Sequence, residues 1–130
     1  MEQLKFTTRV LGPAAAYRLE QYQVTQTLRS HNDSIVQAIL LDRIQNRQMQ
    51  VILDNRMVGL AQYDTISLIC LGQLTISDAQ RGGFDSISDL TLALKRAGYR
   101  FMPIDMYRLY RLQFTWLEVE GDKALLVQST

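Results

Sequence analysis

The sequence predicts an α+β domain in which a small β-barrel body carries helices at its side or mouth. Three observations lead there. The elements run strand, helix, several strands, two helices, then two closing strands. Apolar residues alternate imperfectly through the long middle segment, as expected where a strand curls around a closed barrel and both faces are partly covered. The chain has 130 residues, of which 47% are hydrophobic and 21% charged, enough for one ordered core over residues 1–130.

Each element has a local reason. Lys5 to Val10 reads as a short strand, with Thr7 and Thr8 supplying β-branched residues. Gly12-Pro13 breaks it, and Pro13 suits the first position of a helix that continues from Ala14 to Gln21. Val24 to Arg29 alternates Val/Gln/Leu against Thr/Thr/Arg, which puts Thr25, Thr27 and Arg29 on one strand face. His31-Asn32-Asp33-Ser34 is a turn by composition. Ile35 to Asp42 and Gln48 to Leu53 are expected strands, and Asp54-Asn55 closes a tight hairpin because both residues tolerate positive φ. Met57 to Leu71 is long enough for one bent strand or two, with Gly59 or Asp64 at the bend.

The chain then turns helical. Thr75 to Arg81 precedes Gly82-Gly83, and Ser86-Ile87-Ser88-Asp89 resembles a capping box before Leu90, Ala93, Leu94 and Ala97 at helical spacing. Gly98 ends that helix. Met106 to Val119 is the clearest strand, with Tyr110, Leu112, Phe114 and Trp116 alternating against Arg111, Gln113 and Thr115. Gly121-Asp122 leads to a final short strand, Ala124 to Gln128.

Composition excludes several classes of function. With one cysteine, Cys70, and one histidine, His31, the chain has no internal disulfide and no Cys/His metal-ligand spacing. Met1-Glu2-Gln3-Leu4-Lys5 lacks the apolar core of a signal peptide, and no apolar run approaches the roughly 18 residues of a membrane span. A cytoplasmic protein without metal or cofactor is the expectation. A net charge of +1 means that a polyanionic partner needs a local basic surface rather than the field of the whole molecule.

Two runs resemble the ASCH family, small domains built on a PUA-like barrel. Tyr22-Gln23-Val24-Thr25-Gln26-Thr27-Leu28-Arg29 stands where that family carries G-x-K-x-x-T-x-R; Thr27 and Arg29 match, while Tyr22 and Val24 hold the glycine and lysine positions. Gly72 to Ala79, Gly83-Phe84-Asp85-Ser86 and the Leu-rich helix form the second run, and Gln113 to Leu117 fits the closing strand. The resemblance spans roughly Pro13 to Leu117. Some members of the family are similar to amidohydrolases of acylated cytidine-type nucleosides that use a lysine, a threonine and a glutamate. Carried over by position, only the threonine survives, as Thr27; the lysine position is Val24 and the glutamate falls near Gly82.

The resemblance therefore implies binding without inherited catalysis: a module for RNA, or for a modified nucleotide, in a cleft between barrel and helices. The candidate binding residues are Arg18, Thr25, Thr27, Arg29 and Arg43, with Arg29 as a forked donor to phosphate or to a base edge. Arg47, Arg56, Lys95, Arg96, Arg100, Arg108 and Arg111 supply further positive charge, interleaved with Tyr99, Phe101, Tyr107 and Tyr110, which suits stacking on unpaired bases. Tyr110 shares an apolar face with Phe114 and Trp116 and reads as core. Asp89 reads as a helix cap and Asp78 as a helix-surface residue. The alternatives are an enzyme acting on nucleosides or RNA with altered catalytic groups, and a protein-interaction domain.

Overall fold

The structure, a computed structural model, describes residues 1–100 and 107–117. The expected strand Ala124 to Gln128 and the outer ends of the expected Met106–Val119 strand lie outside the described residues. Within them, the chain runs β1 (Gln3–Phe6), α1 (Thr8–Leu11), α2 (Pro13–Glu20), β2 (Gln26–Arg29), α3 (Ser34–Leu40), β3 (Gln48–Leu53), β4 (Arg56–Cys70), α4 (Ile76–Arg81), α5 (Ile87–Arg96) and β5 (Arg108–Trp116). The five strands form one curled half-barrel sheet in the order β1-β3-β4-β5-β2, with α-helices beside it. β1 pairs parallel with β3; the other pairings are antiparallel.

The β3–β4 hairpin turns on Asp54 and Asn55, both in left-handed geometry at φ 50° and 65°, as two-residue hairpin turns require. β4 is a single strand of 15 residues, and its register against β5 shifts between Tyr63 and Thr65, which places a bulge at Asp64. Past Gln62 it continues against β5 beyond the end of β3, so one long strand joins the two halves of the sheet.

Two elements differ from the sequence expectation. Lys5 to Val10 is not one strand: β1 ends at Phe6, and Thr7, accepting a hydrogen bond from the Val10 N–H, caps the short helix α1. Ile35 to Asp42 is not a strand; most of it belongs to α3. The Asp33 carboxylate accepts from the Ile35 N–H and so starts a helix. Ile35, Val36, Ala38 and Ile39 then bury one helical face. Two adjacent β-branched residues gave a strand signal that burial of this face overrides.

Much of the core lies on the concave side of the sheet, while Leu28 and Leu109 are buried on the other face. Leu4, Met49, Val51, Leu53, Ala61 and Leu112 are each at most 1% exposed, closed over by Leu19 of α2 and by Ile35 and Val36 of α3. Leu112→Ala is expected to cost about 2–5 kcal/mol, since the facing strands hold the cavity open. A urea titration followed by fluorescence of Trp116 measures it, and a loss well under 1 kcal/mol would contradict this placement of the core.

Candidate functional site

Among the described residues, the two edge strands of the curled sheet, β1 and β2, do not pair with each other. In β1 the Glu2 and Phe6 carbonyls accept from Gln50 and Asp54, so the peptide groups of Gln3 and Lys5 point away from β3. In β2 the Thr25 carbonyl accepts from the Phe114 N–H, so the N–H and C=O groups of Gln26 and Leu28 point away from β5. One side chain spans the gap. Arg29 donates through Nη2 to the Lys5 carbonyl at 2.6 Å, and its guanidinium lies over the Phe6 ring, 4.7 Å from the centroid.

Arg29 is held from every side. Its Nε donates to Thr27 Oγ1 at 3.1 Å and its Nη1 to Asp33 Oδ2 at 3.0 Å, an ion pair whose side chains are only 14% and 20% exposed. These contacts use three of the five N–H donors of a guanidinium. Cross-strand pairing of Thr27 with Leu112 places Thr27 and Arg29 on the concave, core-facing side, while Gln26 and Leu28 point to the opposite face.

The gap opens into a cavity of about 340 Å³. Lys5, Phe6 and Thr7 line one wall and Gln26 to Arg29 the other; Arg9, Val10 and Leu11 of α1, Leu90, Ala93 and Leu94 of α5, and Phe84 and Tyr99 complete it, with Asp33, Asp78 and Gly82. Thr27 and Arg29 are thus the sequence-predicted residues that the fold brings together here. Arg18, Thr25 and Arg43 do not line the cavity. Arg18 donates to the Gly83 carbonyl at 2.8 Å and pairs with Asp85 at 3.0 Å, tying α2 to the loop after α4. Thr25 precedes β2 and is tied by its N–H to the Arg81 carbonyl. Arg43 is exposed beyond α3.

Other cations are engaged elsewhere. Arg47 donates to the Tyr63 and Asp64 carbonyls and stacks on Tyr63, Arg56 pairs with Glu20, and Arg96 donates to the Val10 carbonyl. Lys5 and Arg9, which the sequence did not single out, are exposed on the cavity rim without a side-chain partner among the described residues.

Asp78 is not a surface residue. It is 4% exposed, and a row of hydrogen bonds fixes it: Thr65 Oγ1 donates to Gln113 Oε1, Gln113 Nε2 to Gln26 Oε1, and Gln26 Nε2 to Asp78 Oδ1 at 2.9 Å. Thr75 and Asp78 form a reciprocal capping box, and Arg111 pairs with Asp78 at 2.9 Å. The sequence signal was Gln26 on an otherwise apolar strand face, since a buried amide demands partners. At α5 the Ser86 side chain accepts from the Asp89 N–H, so the serine half of the expected capping box forms and Ser86, not Asp89, is the cap.

Comparison with known proteins reaches the fold. The crystal structure of protein EF3133 from Enterococcus faecalis V583, of the family model DUF984, aligns with a TM-score of 0.59. The match covers 90% of this chain and 81% of that one, at 14% identity. At that identity the likeness is one of fold. No protein-family model and no curated protein matches the sequence. Among the described residues no helix is long and apolar enough to cross a membrane, and no group of His, Cys, Asp and Glu is placed to hold a metal ion.

Burial alone would raise the Asp78 pKa; the Gln26 amide, the Thr75 N–H, the Arg111 charge and the Thr75 hydroxyl outweigh it and hold the carboxyl below its ordinary range. A folded-state pKa below the unfolded value of ~3.9 stabilises fully above about pH 4, and the gain is lost as pH falls through the lower folded value. Asp78→Asn is expected to destabilise by about 3–5 kcal/mol at neutral pH, because it leaves the Arg111 charge uncompensated. It also flattens the acid limb of the stability–pH curve. A residual slope remains from Asp54, whose carboxyl is held low by the Thr8 hydroxyl and N–H. Urea unfolding across a pH series checks both; an acid limb as steep as that of the parent chain would contradict the assignment.

Proposed function

We propose that this chain is a non-catalytic binding module for RNA or a modified nucleotide, held in the cavity between the open sheet edges and helices α1 and α5. The observation that carries the reading is the cavity itself. It offers the Thr27 hydroxyl and the unused Arg29 N–H groups inside, apolar walls from Phe84, Leu90 and Leu94, and at the rim two cations without a side-chain partner among the described residues, Lys5 and Arg9. Apolar walls with a few convergent polar groups are the usual makeup of a ligand site, and about 340 Å³ is at the small end of the range. The likeness to ASCH domains supports the same reading.

Catalysis of the amidohydrolase type lacks its groups here. Val24, at the lysine position of the resemblance, is 1% exposed in the core, and Gly82 lines the cavity where the glutamate would fall. The two carboxylates of the lining are ion-paired, Asp33 to Arg29 and Asp78 to Arg111. A general base must be free to take a proton from the substrate, and neither carboxylate is.

Fluorescence anisotropy against labelled structured RNA, single-stranded RNA and duplex DNA, at low and near-physiological salt, tests the proposal. Saturable binding that prefers RNA is expected. The double variant Lys5→Ala, Arg9→Ala should weaken it and lower the salt slope by about one for each phosphate that is no longer neutralised. Failure to bind any of the three at tens of micromolar, roughly the strength of weak nonspecific association, would sink it.

A further inference from the structure

We infer that the cavity accepts a single nucleobase carrying one phosphate monoester, its base edge met by main-chain groups of the open strands and its phosphate by Lys5 and Arg9. This rests on the nucleotide reading above and narrows it. Three observations combine.

The first is where free hydrogen-bonding capacity lies. Asp33 and Asp78 are occupied by Arg29, Arg111, Gln26, Thr75 and the cap of α3, and the Gln26 amide bonds Asp78 and Gln113. Among the described residues, what remains at the cavity wall beside the Thr27 hydroxyl and two Arg29 N–H groups is main chain: the N–H and C=O of Gln26 and Leu28 and the N–H of Lys5, which ladder parity turns into the gap. A strand edge presents donors and acceptors in alternation, and the edge of a base that carries a donor beside an acceptor, as adenine N6–H and N7 do, complements it. Peptide groups facing a partly closed site require partners, and a base lying against Phe84 and Leu94 supplies them.

The second is size. A cavity of about 340 Å³ holds one nucleoside-sized group and no run of stacked bases.

The third is charge. Each carboxylate of the lining is neutralised by an arginine, whereas Lys5 and Arg9 have no carboxylate partner among the described residues. Two unmatched cations suit a monoester, a dianion above its second pKa near ~6, better than the single charge of an internal phosphodiester. The same chemistry occurs in a free mononucleotide and at the phosphorylated end of an RNA strand.

The test titrates the 130-residue chain, by calorimetry and by amide NMR, with the four common ribonucleosides, their monophosphates, and one single-stranded RNA with and without a terminal phosphate. At least one monophosphate is expected to bind about tenfold tighter than its nucleoside, the gain from two exposed charge contacts. That advantage should shrink as pH falls through about 6. Lys5→Ala with Arg9→Ala should erase it while leaving nucleoside affinity in place; both residues are exposed, so folding is retained. The Gln26 and Leu28 amides should shift with nucleoside alone. A phosphorylated RNA end that binds tighter than the unphosphorylated strand makes an RNA terminus the source. Equal affinity of the two strands, with tight mononucleotide binding, makes it the free nucleotide. Nucleosides binding as tightly as monophosphates would overturn the inference and leave the nucleotide cavity standing. Still amides at Gln26 and Leu28 would overturn the main-chain reading. No binding by any nucleoside, monophosphate or RNA would overturn the parent proposal as well.

Discussion

The cavity exists because one arginine joins two strands that do not pair. A hydrogen-bonded ladder between β1 and β2 would close the barrel and fill the space with main chain. Arg29 instead bridges the edges at one end, taking the Lys5 carbonyl, the Asp33 carboxylate and the Thr27 hydroxyl in one planar fork while its flat face rests on Phe6. Lysine cannot replace it, because a compact ammonium lacks both the fork and the stacking face. The nearly buried charge is tolerated because Asp33 neutralises it and three directed hydrogen bonds replace the water it gave up.

A second arginine–carboxylate pair serves the opposite face of β2. Gln26 leads the polar row from the sheet to Asp78, and Asp78 both caps α4 and receives Arg111 from β5. This docks α4 against the strand whose other face presents Thr27 and Arg29. It also settles the electrostatics of the cavity, since both acidic groups in its lining are satisfied before any ligand arrives. What is left over is positive.

Features set by neighbours in sequence were legible in the sequence. The Asp54-Asn55 turn, Pro13 at the start of α2, the helix stop at Gly82-Gly83 and the shared face of Thr27 and Arg29 all depend on residues a few positions apart. At α3 the sequence carries two competing signals, the β-branched pair Ile35-Val36 and the Asp33 cap, and the cap prevails. Thr75-Ile76-Ser77-Asp78 and Ser86-Ile87-Ser88-Asp89 have the same local pattern, yet Asp78 is buried and Asp89 exposed. The difference is Arg111, which arrives 33 positions later. Lys5 and Arg9 join the cavity only through the parallel β1–β3 pairing and the curl of the sheet, neither of which leaves a mark at those positions.

Val24 joins the packing of the fold to the proposed function. It sits between the sheet and the loop after α4: its carbonyl accepts from Trp116 Nε1 at 2.8 Å, and its Cγ2 stands 2.9 Å from where a Cβ on Gly83 would be. Gly83 adopts φ +93°, so both the close approach and the backbone favour glycine. The position at which the resemblance would place a lysine is therefore a packed core position, with no polar group set to receive an ammonium. Burying that charge there would cost more than the packing it displaces. Thr27 and Arg29 have a place in the fold independent of any reaction, because Arg29 holds Thr27, Asp33 and the β1 backbone together.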